Sequence, residues 1–303
     1  MTATLQSIYE AVRAEVVGRE REITAILAAI SAGRDLLLEG PPGIGKSTIL
    51  RAITRHYGIP LVLVEGNADL TPAKLIGYHN PAQVVRHGYR PGDFVPGPLP
   101  DAMQRGGFLY IEEFNRVPED TLNALLTAMA EREITIPRVG TLRALPTFRI
   151  VAAMNPFDNV GTARISISIY DRLCRLAMGY QSEEEEREIV ARRTGSPSRL
   201  LIERAVSITR ATRNHPEARL GASVRGAIDL VLVAHRLAEI RGLPGLDSDE
   251  RTVNAVLLEA AQLALSSKVS LHETTERTPE EVIQEIVAQV APQAVTGEQT
   301  AGQ

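Results

Sequence analysis

Gly40-Pro41-Pro42-Gly43-Ile44-Gly45-Lys46-Ser47-Thr48 is the stretch whose reading decides the fold. It fits G-x-x-x-x-G-K-[ST], a loop that cradles phosphate with its backbone N–H groups. Asp35 to Leu38 run apolar into it as a short buried strand, and 48–55 leave it as a helix. Between strand and helix, Gly43 and Gly45 allow turns that a Cβ would block. The N–H groups of Pro42-flanking residues, Gly43, Ile44 and Gly45 then converge with the helix N-terminus on an anion. Lys46 is placed to neutralise the β- and γ-phosphates, and Ser47 to ligate Mg²⁺, with Thr48 opening the helix. The alternative, a Gly-Pro surface turn that holds a lysine, accounts for neither the strand nor the helix.

Composition agrees with a soluble nucleotide-binding protein. The chain has 303 residues, 44% apolar and 23% charged, enough for two domains and a sizeable core. Its 33 basic and 37 acidic residues leave a net charge of −4 without a basic block. With aromatics at 4% and no tryptophan, stacking platforms are scarce, so no nucleic acid is expected as partner. Cys174 is the only cysteine, which excludes an internal disulfide and suits a reducing cytoplasm. The N-terminus lacks a charged-then-apolar leader, and no apolar run reaches the eighteen residues of a span. A cytoplasmic location and no membrane partner are expected.

Up to about residue 180, short strands at 35–38, 61–65, 107–111, 148–154 and 176–180 alternate with helical stretches, the pattern of a parallel sheet covered by helices. Pro118 suits the first position of the next helix, with Glu119 and Asp120 favouring its dipole and Leu122, Leu125, Leu126 and Met129 forming one apolar face. Beyond Ser182 strands are not expected, and helices are predicted over 182–193, 199–212, 223–241 and 249–267. Glu183 to Glu186 read as a solvated helix N-terminus. Thr278-Pro279-Glu280-Glu281 is a capping box opening a helix with Ile283, Ile286, Val287 and Val290 on one face. Residues after Pro292 read as a disordered tail.

Two further features bear on chemistry. Phe108-Leu109-Tyr110-Ile111 is a buried strand ending in Glu112 and Glu113. In a parallel sheet, strand ends gather on the edge that carries the phosphate loop. The first carboxylate then holds Mg²⁺ through water and the second polarises an attacking water. Asn155 ends the strand at 148–154, and Pro156 prevents helical continuation. It is either a ligand to the γ-phosphate or lytic water, or a turn asparagine.

These stretches, with Tyr170-Asp171-Arg172, occur in the order and spacing of AAA+ ATPases. The chain most resembles the MoxR branch, in the helix-2-insert group that also holds magnesium-chelatase ATPase subunits. Val17-Gly18-Arg19-Glu20, residues 94–99, Leu122 to Met129 with Glu131-Arg132, Gly161-Thr162 and Gly221-Ala222-Ser223-Val224-Arg225 extend the match over about residues 14 to 240. The stretches 112–123 and 155–166 are similar to members associated with carbon monoxide dehydrogenase maturation.

The resemblance implies a P-loop NTPase fold: an AAA+ α/β core with a five-stranded parallel sheet over 1–181, a smaller all-helical lid over 182–270, and a short helix and flexible tail over 271–303. A β-hairpin is implied at about 77–97 and another at 134–146. Val17 and Gly18 would lie beside the adenine. Asn155 matches the first sensor, Arg172 the arginine finger that completes a neighbouring subunit's site, and Arg225 the second sensor reaching the γ-phosphate from the lid. Arg172 and Arg175 also stand near acidic residues as candidate surface ion pairs.

Three departures stand out. Glu112 occupies the family's usual Asp, Ile165-Ser166-Ile167-Ser168 its usual Leu-Pro-Glu-Ala, and Val224 its usual proline. The implied activity is ATP hydrolysis with Mg²⁺ by a ring, expected as a hexamer, acting as a chaperone on a partner or adaptor protein and a metalloenzyme substrate. A metal-chelatase motor subunit and a DNA-remodelling motor are the alternatives.

Overall fold

A computed structural model describes residues 4–156, 165–247 and 249–296. Gly161 and Thr162 lie outside the described residues, as does the tail beyond 296. The chain divides into two compact units, Met1–Gly179 and Tyr180–Gln303.

In the first unit, α1 (Leu5–Glu15) and α2 (Glu20–Ser31) precede β1 (Asp35–Glu39). α3 (Lys46–Tyr57), β2 (Leu61–Glu65) and α4 (Pro72–Ile76) follow, then β3 (Gly77–His79), α5 (Pro81–His87) and β4 (Phe94–Pro96). α6 (Pro98–Arg105), β5 (Phe108–Glu112) and α7 (Glu119–Glu131) lead to β6 (Glu133–Ile136) and β7 (Gly140–Arg143). β8 (Arg149–Met154), α8 (Ile167–Tyr170) and β9 (Leu173–Ala177) complete it.

Five strands form one parallel sheet in the order β2-β5-β8-β1-β9. The interior strand β1 is buried along its whole length, which is why it reads as an unbroken apolar run between two acidic ends. The edge strand β2 is only partly buried. β9, at the other edge, begins at Leu173 rather than at 176, so the expected strand is corrected by three residues. An edge strand with one solvated face tolerates Cys174 and Arg175, residues that obscured the strand in the sequence.

The stretch expected to be a β-hairpin at 77–97 is one only at its ends. β3 and β4 pair antiparallel, but α5 lies between them, capped by the Asn80 side chain accepting from the Ala82 N–H at 3.0 Å. The second hairpin forms as expected, with β6 and β7 antiparallel around Arg138 in the left-handed region (φ 65°). The two inserts touch: the Arg138 guanidinium lies 4.2 Å from the centre of the Tyr89 ring, and His79 Nε2 is 3.3 Å from the Pro137 carbonyl oxygen. Pro118 is the residue before α7 rather than its first position, with ψ at 147°.

The second unit holds α9 (Glu183–Thr194), α10 (Arg199–Asn214), β10 (Ala218–Leu220), α11 (Val224–Ile240), α12 (Glu250–Leu265), β11 (Ser270–Leu271), α13 (Pro279–Val290) and α14 (Gln293–Thr296). Its core is helical, built from side chains such as Val206, Leu230, Leu257 and Ile286. The expectation of no strands after Ser182 is corrected at one place, where β10 and β11 pair antiparallel. The expected capping box at Thr278 with Glu281 forms, and a second one forms at Ser182 with Glu185. The tail starts later than expected, because α14 follows Pro292 and its Ala294 is buried in the core.

The reading of Glu183 to Glu186 as a solvated run is also corrected. Glu186 is 2% exposed and accepts from Arg213 Nη1 at 2.8 Å and Arg210 Nη1 at 3.2 Å. Two arginines neutralise a carboxylate that the interior would otherwise reject.

Glycine 40 shows how tightly the first unit is built around its loop. A Cβ there would lie 2.3 Å from the Met178 carbonyl oxygen, at a φ of 158°. At Gly45 the surroundings are open, but φ is 94°. Gly40→Ala is therefore expected to destabilise by about 3 kcal/mol, as overpacking does, and Gly45→Ala by only about 1 kcal/mol of backbone strain. Urea unfolding of both variants checks this, and equal midpoints would contradict it.

Candidate nucleotide site

The loop between β1 and α3 leaves the sheet at the C-terminal end of β1, an interior strand. Gly45 precedes α3 in a left-handed conformation, so the first N–H groups of the helix open toward the loop. Lys46 Nζ donates to the Gly40 carbonyl at 2.6 Å and to the Pro41 carbonyl at 3.0 Å, which centres the ammonium over the loop. A cation and a helix N-terminus on one loop suit an anion.

β5 delivers its carboxylate to the same place. The Ser47 hydroxyl donates to Glu112 Oε1, and Ser47 Oγ lies 3.4 Å from the Tyr110 hydroxyl. Burial pushes the Tyr110 phenol well above its ordinary range, with Glu112 adding to the effect, so it stays neutral. Ser47 and Glu112 form the pair of hard oxygens that suits Mg²⁺, an ion that keeps most of its shell as water and phosphate oxygen. Among the described residues, no group of three or more His, Cys, Asp or Glu is placed to hold a metal by itself.

Glu113 departs from the strand. Its φ of 49° puts it in the left-handed region, at a cost of about 1 kcal/mol for a residue with a Cβ. Glu113 Oε2 sits 3.0 Å from Arg116 Nε, whereas Glu112 meets Ser47. Strain of this kind concentrates where a side chain must be aimed. Neighbouring carboxylates thus receive different surroundings, one against Ser47 and one exposed beside an arginine.

Asn155 follows β8, the strand hydrogen-bonded between β5 and β1. The Gly40 N–H donates to the Met154 carbonyl at 3.2 Å, so Asn155 begins beside the first residue of the loop. Val17 and Gly18 are brought to the loop by the next residue. Arg19, buried and left-handed, donates from Nη2 to the Ile44 carbonyl at 3.1 Å.

The first unit therefore gathers Val17, Gly18, the loop 40–48, Glu112, Glu113 and Asn155 on one edge. Arg172 is not among them. It precedes β9, where Leu173 pairs with Asp35 at the start of β1, while Ala177 pairs with Glu39 at its end. Arg172 is in register with position 34, six residues before the loop begins at Gly40, so at about 3.3 Å per residue it stands about 20 Å from its own phosphate loop. Its Nη1 donates to the Ser168 carbonyl at 2.7 Å. Arg175 instead takes the ion-pair role, with Nε 2.6 Å from Glu39 Oε2, a carboxylate buried just ahead of the loop. Arg225 stands exposed in the first turn of α11, in the second unit.

Sequence reasoning missed Arg19, Glu39 and Tyr110 as parts of this edge. Buried charge in Arg19 and Glu39 carried no local signal. Tyr110 carried one: a phenol two residues before the carboxylate, on the same face of a strand.

Comparison with known proteins agrees with this fold. Residues 35–173 match the family described as AAA domain (dynein-related subfamily). Chaperone MoxR1 of Mycobacterium tuberculosis is 28% identical over 274 residues, covering 79% of this chain and 70% of that protein. The Bacillus subtilis protein YeaC is 29% identical over 252 residues, covering 74% of this chain and 75% of its own. A crystal structure from Cytophaga hutchinsonii superposes with a TM-score of 0.52 at 23% identity, covering 93% of each chain. Thermotoga maritima RuvB does so at 0.53 with 17% identity and 89% of each chain, a likeness of fold. The chain thus carries an AAA ATPase domain. Within that class the chain is similar to MoxR-type proteins.

Proposed function

We propose that the chain hydrolyses ATP as a ring, expected to be hexameric, and uses the turnover to remodel a partner protein. The observation that carries the proposal is the contact of Ser47 with Glu112, which supports reading the phosphate loop and the end of β5 as one site. Lys46 neutralises the β- and γ-phosphates, and Ser47 and Glu112 would hold Mg²⁺. When bound, that ion neutralises charge on the phosphate oxygens. Glu113 accepts a proton from the attacking water, and Asn155 orients the γ-phosphate or that water. Arg172, about 20 Å from its own loop, serves the loop of a neighbouring copy, and Arg225 is assigned the second-sensor role on the sequence resemblance.

The partner-facing element is assigned to the paired inserts, where Tyr78, Val85 and Val95 are exposed and Tyr89 packs with Arg138. Kinship with Chaperone MoxR1 supports a protein substrate. A metalloenzyme as that substrate, in carbon monoxide dehydrogenase maturation, is proposed on the sequence resemblance. Among the described residues no helix is long and apolar enough to cross a membrane, and a cytoplasmic site of action is part of the proposal.

Capture of partners tests the substrate class. Glu113→Gln, held in its ATP state, is expected to retain a specific protein from its native host that Lys46→Ala does not, read by mass spectrometry. Identical captures by both variants would contradict nucleotide-gated remodelling. Duplex and single-stranded DNA should not bind at physiological salt, given the charge of −4. Sub-micromolar binding with a steep salt slope in fluorescence anisotropy would revive the DNA-motor reading.

A further inference from the structure

The mechanism above leaves Arg19 without a role, yet its placement is unusual. The residue is 7% exposed and sits in the left-handed region at φ 67°. Its guanidinium joins separate parts of the first unit. Nη2 donates to the Ile44 carbonyl inside the phosphate loop at 3.1 Å and to the Gly179 carbonyl at 2.8 Å, while Nη1 meets Glu22 at 2.9 Å. Gly179 is the last residue of that unit. A buried guanidinium needs such acceptors, and its rigid planar fork fixes their separation in a way a lysine's point charge does not.

The second unit begins with a similar grip. The Arg213 guanidinium lies 3.9 Å from the centre of the Tyr180 ring, and its Nε donates to the Ala222 carbonyl at 2.7 Å. Arg210 Nη1 donates to the Gln181 carbonyl at 3.0 Å. Ala222 lies just ahead of α11 and Arg225. Residues 179, 180 and 181 are thus each held by an arginine of their own unit. Glu186 anchors both arginines of the second unit.

We propose that Arg19 is a positioning residue that couples the phosphate loop to the point where the chain leaves the first unit. A shift of the Ile44 carbonyl, as the loop closes on phosphate, moves the guanidinium and with it Gly179. The covalent step to Tyr180 passes the shift to Arg213, which holds the backbone ahead of Arg225. Hydrogen-bonded networks of this kind carry coupling between sites. The inference rests on reading residues 40–48 as a nucleotide site.

Hydrogen exchange of the full chain with and without ATP and Mg²⁺, followed by mass spectrometry, tests it. In the wild type, nucleotide should slow exchange in peptides covering 40–48 and 178–182. In Arg19→Lys, protection at 40–48 should persist while protection at 178–182 is lost. Turnover should fall about tenfold, the loss of one charge-assisted hydrogen bond, with KM moving less than about threefold. Equal protection at 178–182 in both proteins would overturn the coupling. No protection at 40–48 in the wild type would overturn the nucleotide reading and the coupling together. If Arg19→Lys does not fold, Glu22→Gln loosens the same guanidinium without touching either carbonyl. Partial loss of protection at 178–182 then supports the proposal, and an unchanged pattern contradicts it.

Discussion

Arg172→Ala is expected to bind ATP within a few-fold of the wild type and to hydrolyse it on the order of 10³-fold more slowly. Binding survives because Arg172 stands just before β9, about 20 Å from the loop of its own chain. Turnover collapses because an arginine placed over the transferring phosphoryl group stabilises charge that develops only in the transition state. Arg175→Ala should behave differently. It frees the buried Glu39, whose carboxylate it now pairs, so its first effect is on stability rather than on kcat. Steady-state turnover alongside equilibrium nucleotide binding separates the two arginines. A tenfold or greater loss of nucleotide affinity in Arg172→Ala would show that it acts on its own loop.

The second large effect concerns the phosphate loop and its carboxylates. Lys46→Ala is expected to abolish ATP binding, since the Nζ centred on Gly40 and Pro41 is the loop's own cation. Glu113→Gln should bind ATP and stall, with turnover down on the order of 10²- to 10³-fold from the loss of a general base. Glu112→Gln should instead weaken the dependence on Mg²⁺, because Glu112 and not Glu113 meets Ser47. Titrating Mg²⁺ against turnover distinguishes them. Wild-type turnover by Glu113→Gln together with arrest of Glu112→Gln would reverse the two assignments.

How much of this was legible in the sequence follows from where each signal lives. The phosphate loop is local chemistry, so its lysine and glycines could be read directly. β1, β5 and β8 are buried along most of their length and advertise themselves as apolar runs. β9 does not, because an edge strand with a free face accommodates Arg175, whose partner Glu39 lies on another strand. The helix inside the first insert was hidden by its length, although Asn80 followed by Pro81 is a helix-start signal in plain sight.

Long-range charge was the least legible part. Nothing near Glu186 in the chain announces that Arg210 and Arg213 will bury it. Likewise the partners of Arg19 are carbonyls at positions 44 and 179, which carry no side-chain signature at all. The left-handed turn at Glu113 is equally silent, because a backbone angle that re-aims a side chain leaves composition unchanged. The carboxylate pair was visible in sequence; the separation of its members' surroundings was visible only in the fold.

The account's central claim is that one copy's arginine completes another copy's phosphate site, and mixing two inactive variants measures it directly. Arg172→Ala keeps an intact phosphate loop, and Lys46→Ala keeps an intact arginine. Mixed in equal amounts and allowed to exchange subunits, they should recover a substantial fraction of wild-type ATP turnover, because some interfaces pair the intact loop of one copy with the intact arginine of the next. No recovery, in rings that native mass spectrometry shows to contain both variants, would contradict the claim.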